Sequence, residues 1–169
     1  MKIVFCGTHG TGKSTLLYEV LTLTHPHGLG KARIFNGIGR RIHAQKKWTE
    51  KNKQRYFDYW YVWNHYWNKN FIGSRSIYDT WAYARLGIGL DFNRRLFNWA
   101  IRHINYDFVF YVPIEFPLEK DGIRYEDTEF QILHDRETKM ILDYYYIPYH
   151  TITGSIYQRI SQVRTILNV

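Results

Sequence analysis

Gly7-Thr8-His9-Gly10-Thr11-Gly12-Lys13-Ser14 is the stretch that decides the fold. It fills every fixed position of G-x-x-x-x-G-K-[ST], the loop that cradles phosphates. Its flanks suit that reading. Ile3-Val4-Phe5-Cys6 before it is a short apolar strand, and Thr15-Leu16-Leu17-Tyr18-Glu19-Val20-Leu21 after it is compatible with a helix. A strand, a glycine turn and a helix start aim backbone N–H groups and the positive helix end at one point, where an anion can sit. Gly7 and Gly12 permit torsions and close approaches that a Cβ forbids. Gly7, Thr8, His9, Gly10, Thr11, Gly12, Lys13, Ser14 and Thr15 are therefore expected to bind the phosphates. Lys13 should reach the β- and γ-phosphates of a nucleotide, and the Ser14 hydroxyl should ligate Mg²⁺. The competing reading is a glycine turn that merely joins strand to helix.

Size and composition bound the rest. With 169 residues the chain is expected to form one domain, residues 1–169, around a central sheet. The apolar start is about five residues long, too short for a signal peptide or a membrane span. Cys6 is the single cysteine and cannot form an internal disulfide, which fits a reducing, cytoplasmic setting. It is read as a small core residue. The net charge of +8 is unevenly spread. Nine Lys or Arg lie between Lys31 and Arg55 against one acid, Glu50, whereas nine acids lie between Glu115 and Asp143 against four basic residues. Such blocks can be two solvated faces, or they can mark where a polyanion docks.

Strand and helix patterns alternate. Strands are expected at Ile3–Gly7, Arg33–Asn36, Phe71–Gly73, Asp107–Val112 and Tyr149–Thr153. Helices are expected at Lys13–Leu23, through Arg40-Arg41-Ile42, and over Trp48–Lys69, Ser76–Leu86, Asp91–His103, Asp127–Tyr145 and Ser155–Leu167. This order predicts an α/β fold with a five-stranded parallel sheet flanked by helices in three layers. Ligands of such sheets bind at the carboxyl ends of the strands. Gly7, Ser74 and Pro113 should then surround one cleft.

Three further segments carry chemistry. In Gly73-Ser74-Arg75-Ser76-Ile77-Tyr78-Asp79-Thr80-Trp81-Ala82-Tyr83, the residues Arg75, Asp79 and Tyr83 recur at helical spacing. Arg75 can bind an acceptor phosphate or the phosphoryl group in transfer. Asp79 can take the proton of an attacking hydroxyl or hold Mg²⁺ through water. The bland alternative is an Arg–Asp pair on a solvated helix face. Glu119-Lys120-Asp121-Gly122-Ile123-Arg124 lies in a loop, expected around residues 113–126, from which Arg124 can close over the nucleotide. The alternative is a surface Asp-Gly turn. The run Tyr56–Trp67 holds eight Phe, Tyr or Trp among twelve residues. Tyr56, Trp60, Trp63 and Trp67 share one stripe, which reads first as core. Eight rings exceed one face, so some should stay exposed, where they can stack on bases. The eight histidines lack metal-ligand spacing; His25 and His27 read as a loop beside Pro26.

With these residues in view, the chain resembles the small P-loop kinases of nucleosides and nucleotides, the thymidylate-kinase-like and nicotinamide-riboside-kinase-like group, which includes many phage proteins. The resemblance rests on Ile3–Ser14, on Arg75-Ser76, Asp79 and Ala82-Tyr83, on Asp121-Gly122-Ile123-Arg124, and on Thr151-Ile152-Thr153-Gly154-Ser155. It implies a three-layer P-loop kinase fold, ATP with Mg²⁺, a mobile lid carrying Arg124, and a closing Thr-Gly-Ser turn near the adenine. Arg40, Arg41, Arg75 and Tyr83 would face the acceptor. The chain departs from the pattern twice. Ser74 stands where relatives carry an acid before Arg-Ser, and no acid occurs in Asn36-Gly37-Ile38-Gly39-Arg40-Arg41. Asp79 is therefore expected to supply the base. No Asp ends Phe108–Val112, so a second Mg²⁺ ligand has no sequence candidate.

Three functions stay open at this point. The acceptor is a free nucleoside or nucleotide, or it is a hydroxyl carried on DNA, as when phage kinases of this kind phosphorylate hydroxymethyluracil in DNA. The third reading is a nucleotide-dependent regulatory protein that hydrolyses ATP slowly.

Overall fold

β1 (Lys2–Cys6) is the central strand, and its composition explains why. Ile3, Val4, Phe5 and Cys6 are all fully buried, as a strand covered on both faces requires. The computed structural model describes residues 1–24, 32–36, 49–89, 91–117 and 127–168. β2 (Arg33–Phe35), β3 (Phe71–Gly73), β4 (Phe108–Tyr111) and β5 (His150–Thr151) complete a five-stranded sheet in the order β2-β3-β1-β4-β5. Every pairing is parallel. The described helices are α1 (Lys13–Thr24), α2 (Glu50–Trp67), α3 (Ile77–Gly87), α4 (Arg94–His103), α5 (Thr128–Tyr144) and α6 (Ile156–Leu167). The helix expected through Arg40-Arg41-Ile42 lies outside the described residues. So do His25 and His27. Among the described residues, no helix is long and apolar enough to cross a membrane.

Alternation along β1 divides the core in two. Ile3 and Phe5 pack with Leu16 and Leu17 of α1 and Val163 of α6. Val4 and Cys6 point the other way, toward Val62 of α2, Trp81 of α3, Phe97 of α4 and Leu142 of α5. The result is three layers, with Cys6 as a buried core residue, as its position in an apolar strand predicts.

The aromatic run needs a correction. Its expected core stripe faces outward at three of four positions: Tyr56, Trp63 and Trp67 are 49%, 44% and 70% exposed. α2 instead buries Phe57, Tyr61, Val62 and His65. His65 stacks on Phe35 of β2 and contacts Phe71 of β3. The helical period is right and the phase is wrong, because aromatic residues occupy every side of α2 and only contact with the sheet selects one. Asp58, also buried, accepts from Gln54 at 2.6 Å and Asn93 at 2.6 Å, and burial pushes its carboxyl up to about 7.

The turn out of β1 is tightly packed. Gly7 has φ +127°, and a Cβ there would lie 2.5 Å from the Val112 carbonyl oxygen. Gly7→Ala should cost roughly 2–5 kcal/mol, combining backbone strain with overpacking against a rigid main chain. Gly87→Ala is the control, since nothing lies within 4 Å of its added Cβ. Urea melts of the two variants check this; equal midpoints would show that the turn relaxes at no cost.

Candidate active site

Three strand ends build the site. β1 runs into the phosphate loop, β2 into Asn36 and β3 into Ser74. Phe35 of β2 is in register with Gly73 of β3, so Asn36 and Ser74 emerge side by side. Asn36 Oδ1 accepts from Ser74 Oγ at 2.7 Å and from Ser14 Oγ at 3.1 Å. One amide thus joins the first turn of α1 to the end of β3. Asn36 had no distinguishing mark in the sequence; parallel register makes it a neighbour of residues 22 and 38 positions away.

Lys13 is almost fully buried inside its own loop. Its ammonium donates to the Thr8 carbonyl and lies 3.3 Å from Thr11 Oγ1. Burial, then the charge of Arg75, pull it down to about 8. Gly7 and Gly12 hold positive φ, as the fixed glycines of the loop predict, and Gly10 does so too.

Arg75, Asp79 and Tyr83 come together as their spacing predicts, with Asp79 buried and Arg75 and Tyr83 partly exposed. Ser76 caps α3, accepting from the Tyr78 and Asp79 amides, while one Asp79 oxygen accepts from the Ser76 amide at 2.6 Å. The other oxygen is 3.7 Å from Arg75 Nη1. Asp79 is fully buried, so this is no solvated pair. Burial pushes its carboxyl upward, against Arg75, Lys13 and the Ser76 hydrogen bonds. The Arg75 guanidinium lies 4.5 Å from the Tyr83 ring centre. Burial opposes its charge, but Tyr83, Asp79 and Tyr61 outweigh burial and hold it ionised. The Tyr83 hydroxyl meets His9 Nδ1 at 2.8 Å, linking this cluster to the phosphate loop. Arg40, Arg41 and Arg124 lie outside the described residues, as does most of the expected loop 113–126.

α5 supplies residues that the sequence reading missed. Gln131 donates to the His9 carbonyl at 2.8 Å, and His134 Nε2 donates to the Asp79 carbonyl at 2.9 Å. Burial, then Arg75, hold His134 well below its usual range, so it is neutral. Asp135 accepts from the Tyr111 hydroxyl at 2.8 Å, and its charge acts on Lys13. A signal existed. Gln131, His134, Asp135 and Thr138 form a polar stripe at helical spacing, and Gln131, His134 and Thr138 are buried. Such a stripe needs polar partners in the fold. From α6, Arg159 is another missed residue, with three hydrogen bonds, one of which reaches the loop at the Thr11 carbonyl.

Comparison with known proteins agrees with this architecture. The family model described as AAA domain matches residues 2–159. Deoxyadenosine kinase from M. mycoides, solved with dCMP and dCDP, superposes with a TM-score of 0.70 at 19% identity, over 99% of this chain and 98% of that one. Thymidylate kinase from Candida albicans gives 0.69 at 19% identity over 98% and 90%. Thymidylate kinase from Ehrlichia chaffeensis gives 0.66 at 15% over 99% and 98%. At these identities the likeness establishes the fold, the parallel α/β fold of P-loop kinases. No curated protein sequence matches the chain.

Proposed function

We propose, from the premise that this chain belongs to the AAA domain family, that it is an ATP- and Mg²⁺-dependent kinase acting on a nucleoside- or nucleotide-type acceptor. One observation carries the reading. Lys13, buried, and Arg75, partly buried, stand close enough for the charge of Arg75 to pull the Lys13 amine down, and both act on one fully buried carboxylate, Asp79. Arg75 Nη1 makes no hydrogen bond among the described residues. Buried positive charge in excess at strand ends is stabilised by a polyanion.

The roles follow from placement. Gly7 to Thr15 would hold the ATP phosphates, with Lys13 on the β- and γ-groups. Ser14 Oγ and Asn36 Oδ1 are hard oxygen donors 3.1 Å apart, and they fit Mg²⁺, which takes few protein ligands beside phosphate and water. Bound there, Mg²⁺ would offset charge on the phosphates. Arg75 would bind the phosphoryl group in transfer or an acceptor phosphate. The acceptor oxygen attacks the γ-phosphorus, the bond to the bridging oxygen breaks, and ADP leaves. A hydroxyl acceptor also yields a proton, for which Asp79 is the proposed base. Arg124, from a lid over residues 113–126, and Arg40 and Arg41 on the acceptor side complete the proposal.

A DNA-borne acceptor is the second reading. Tyr56, Tyr59, Trp63 and Trp67 are exposed on α2, the helix that also carries exposed Lys51 and Arg55. Rings beside basic groups suit unpaired bases. A transfer screen with labelled ATP separates the readings, offering nucleosides, mononucleotides, plain DNA and hydroxymethyluracil DNA. Label on a free nucleoside or mononucleotide is the expected result. If DNA is the acceptor, three or four neutralised phosphates should give a log-affinity against log-salt slope of about −3. ATP hydrolysis with no transfer to any acceptor would replace the kinase with a regulatory ATPase.

A further inference from the structure

Arg159 is 3% exposed, and each of its guanidinium nitrogens is engaged. Nη1 donates to the Thr11 carbonyl at 2.7 Å, Nε to the Gly154 carbonyl at 2.7 Å, and Nη2 to Glu115 Oε2 at 2.6 Å. Glu115 in turn accepts from the Gly154 amide, at 2.8 and 3.0 Å from its two oxygens. Phe116 packs on the guanidinium, with 5.2 Å between its ring centre and the charge. A planar, permanently charged fork held at three points is a fixed object. It is also expensive to bury without a purpose, since the pair with Glu115 must offset two desolvation costs.

We infer that Arg159 is a positioning residue for the phosphate loop, setting the direction and polarity of the Gly12 amide. The peptide between Thr11 and Gly12 is trans, like every described peptide bond, so its C=O and N–H point in opposite directions. Arg159 takes the carbonyl from α6. The N–H is thereby turned to the opposite side, where an anion would sit. A cation on the carbonyl also polarises the peptide and strengthens its N–H as a donor. Gly12 itself has φ +84°, and an added Cβ would lie 3.4 Å from Arg159 Nη1, so loop and guanidinium are in contact. Glu115 holds Arg159 in place and ties the segment after β4 to the turn at Gly154.

This inference rests on the loop binding phosphate, as proposed above. Its test is calorimetric binding of Mg²⁺-ATP and of Mg²⁺-tripolyphosphate, the second lacking base and sugar. Arg159→Met should weaken both ligands by a similar factor, about 10- to 100-fold, the usual loss for a charged hydrogen bond in a buried network. Arg159→Lys should recover part of that loss, because a cation remains but the fork does not. If Arg159→Met does not fold, Glu115→Gln decides: it should weaken tripolyphosphate by roughly 3-fold or more in a folded protein. Wild-type affinity for tripolyphosphate in folded Arg159→Met or Glu115→Gln would overturn the inference. Loss confined to ATP would overturn it as well, because Arg159 would then act through the Gly154 turn. A wild-type protein that binds neither ligand removes both this inference and the kinase. One that binds both and transfers no phosphate removes only the kinase.

Discussion

Lys13→Ala should abolish phosphoryl transfer while the chain stays folded. The amine sits inside the loop, on the Thr8 carbonyl and near Thr11 Oγ1. Burial and the charge of Arg75 make its charge costly and bring it down to about 8. In the proposed kinase a triphosphate would reverse that balance, and the ammonium would stabilise charge that grows on the β–γ bridge during transfer. Losing such a contact commonly costs on the order of 10²-fold or more in rate. Stability should change little, within about 1 kcal/mol, since Ala is a good residue at a helix start and a buried charge is removed. The measurements are single-turnover transfer beside a urea melt. A folded variant with near-normal turnover would sink the kinase reading.

Asp79→Asn is the second large effect, expected at roughly 10²-fold or more on turnover with ATP binding retained. Asn keeps one oxygen to accept from the Ser76 amide, so the cap of α3 survives in part. What disappears is the negative charge beside Arg75, 3.7 Å away. Two mechanisms make different predictions from there. A base role predicts a pH-dependent limb in the turnover of a hydroxyl acceptor that vanishes in the variant. A role in holding Arg75 predicts a raised KM for a phosphate acceptor, which needs no base. Ser74→Ala should do much less, because among the described residues that hydroxyl donates to Asn36 alone. Ser76→Ala, which removes the cap and keeps the carboxylate, separates loss of chemistry from loss of helix. If Asp79→Asn turns over like the wild type, or merely unfolds, the carboxylate is structural.

The order of elements was legible throughout the described chain, and the reasons are local. Ile3 to Cys6 can only be a strand covered on both faces. The glycines after it admit a turn that other residues refuse. Ser76 with Asp79, and Ser155 with Gln158, are capping boxes whose spacing marks where α3 and α6 begin. The meeting of Arg75, Asp79 and Tyr83 was equally readable, because residues four apart on a helix share a side.

What sequence could not determine is everything that depends on which sides meet. α2 carries rings all around, and the sheet chose Phe57, Tyr61 and His65 over the expected stripe. Asp79 was readable as a helix partner of Arg75, but its burial comes from α5 laid across α3, with His134 on its carbonyl. Asn36 and Ser14 touch because β2 lies two strands from β1 in a parallel sheet. Arg159 reaches Thr11 across 148 positions of chain. From one end to the other, sequence determined the parts with short-range causes: apolar period, glycine torsion, cap spacing and the phosphate loop. Tertiary structure decided the site's polarity and its supports, because desolvation and long-range hydrogen bonds exist only once distant strands and helices have closed around the same few atoms.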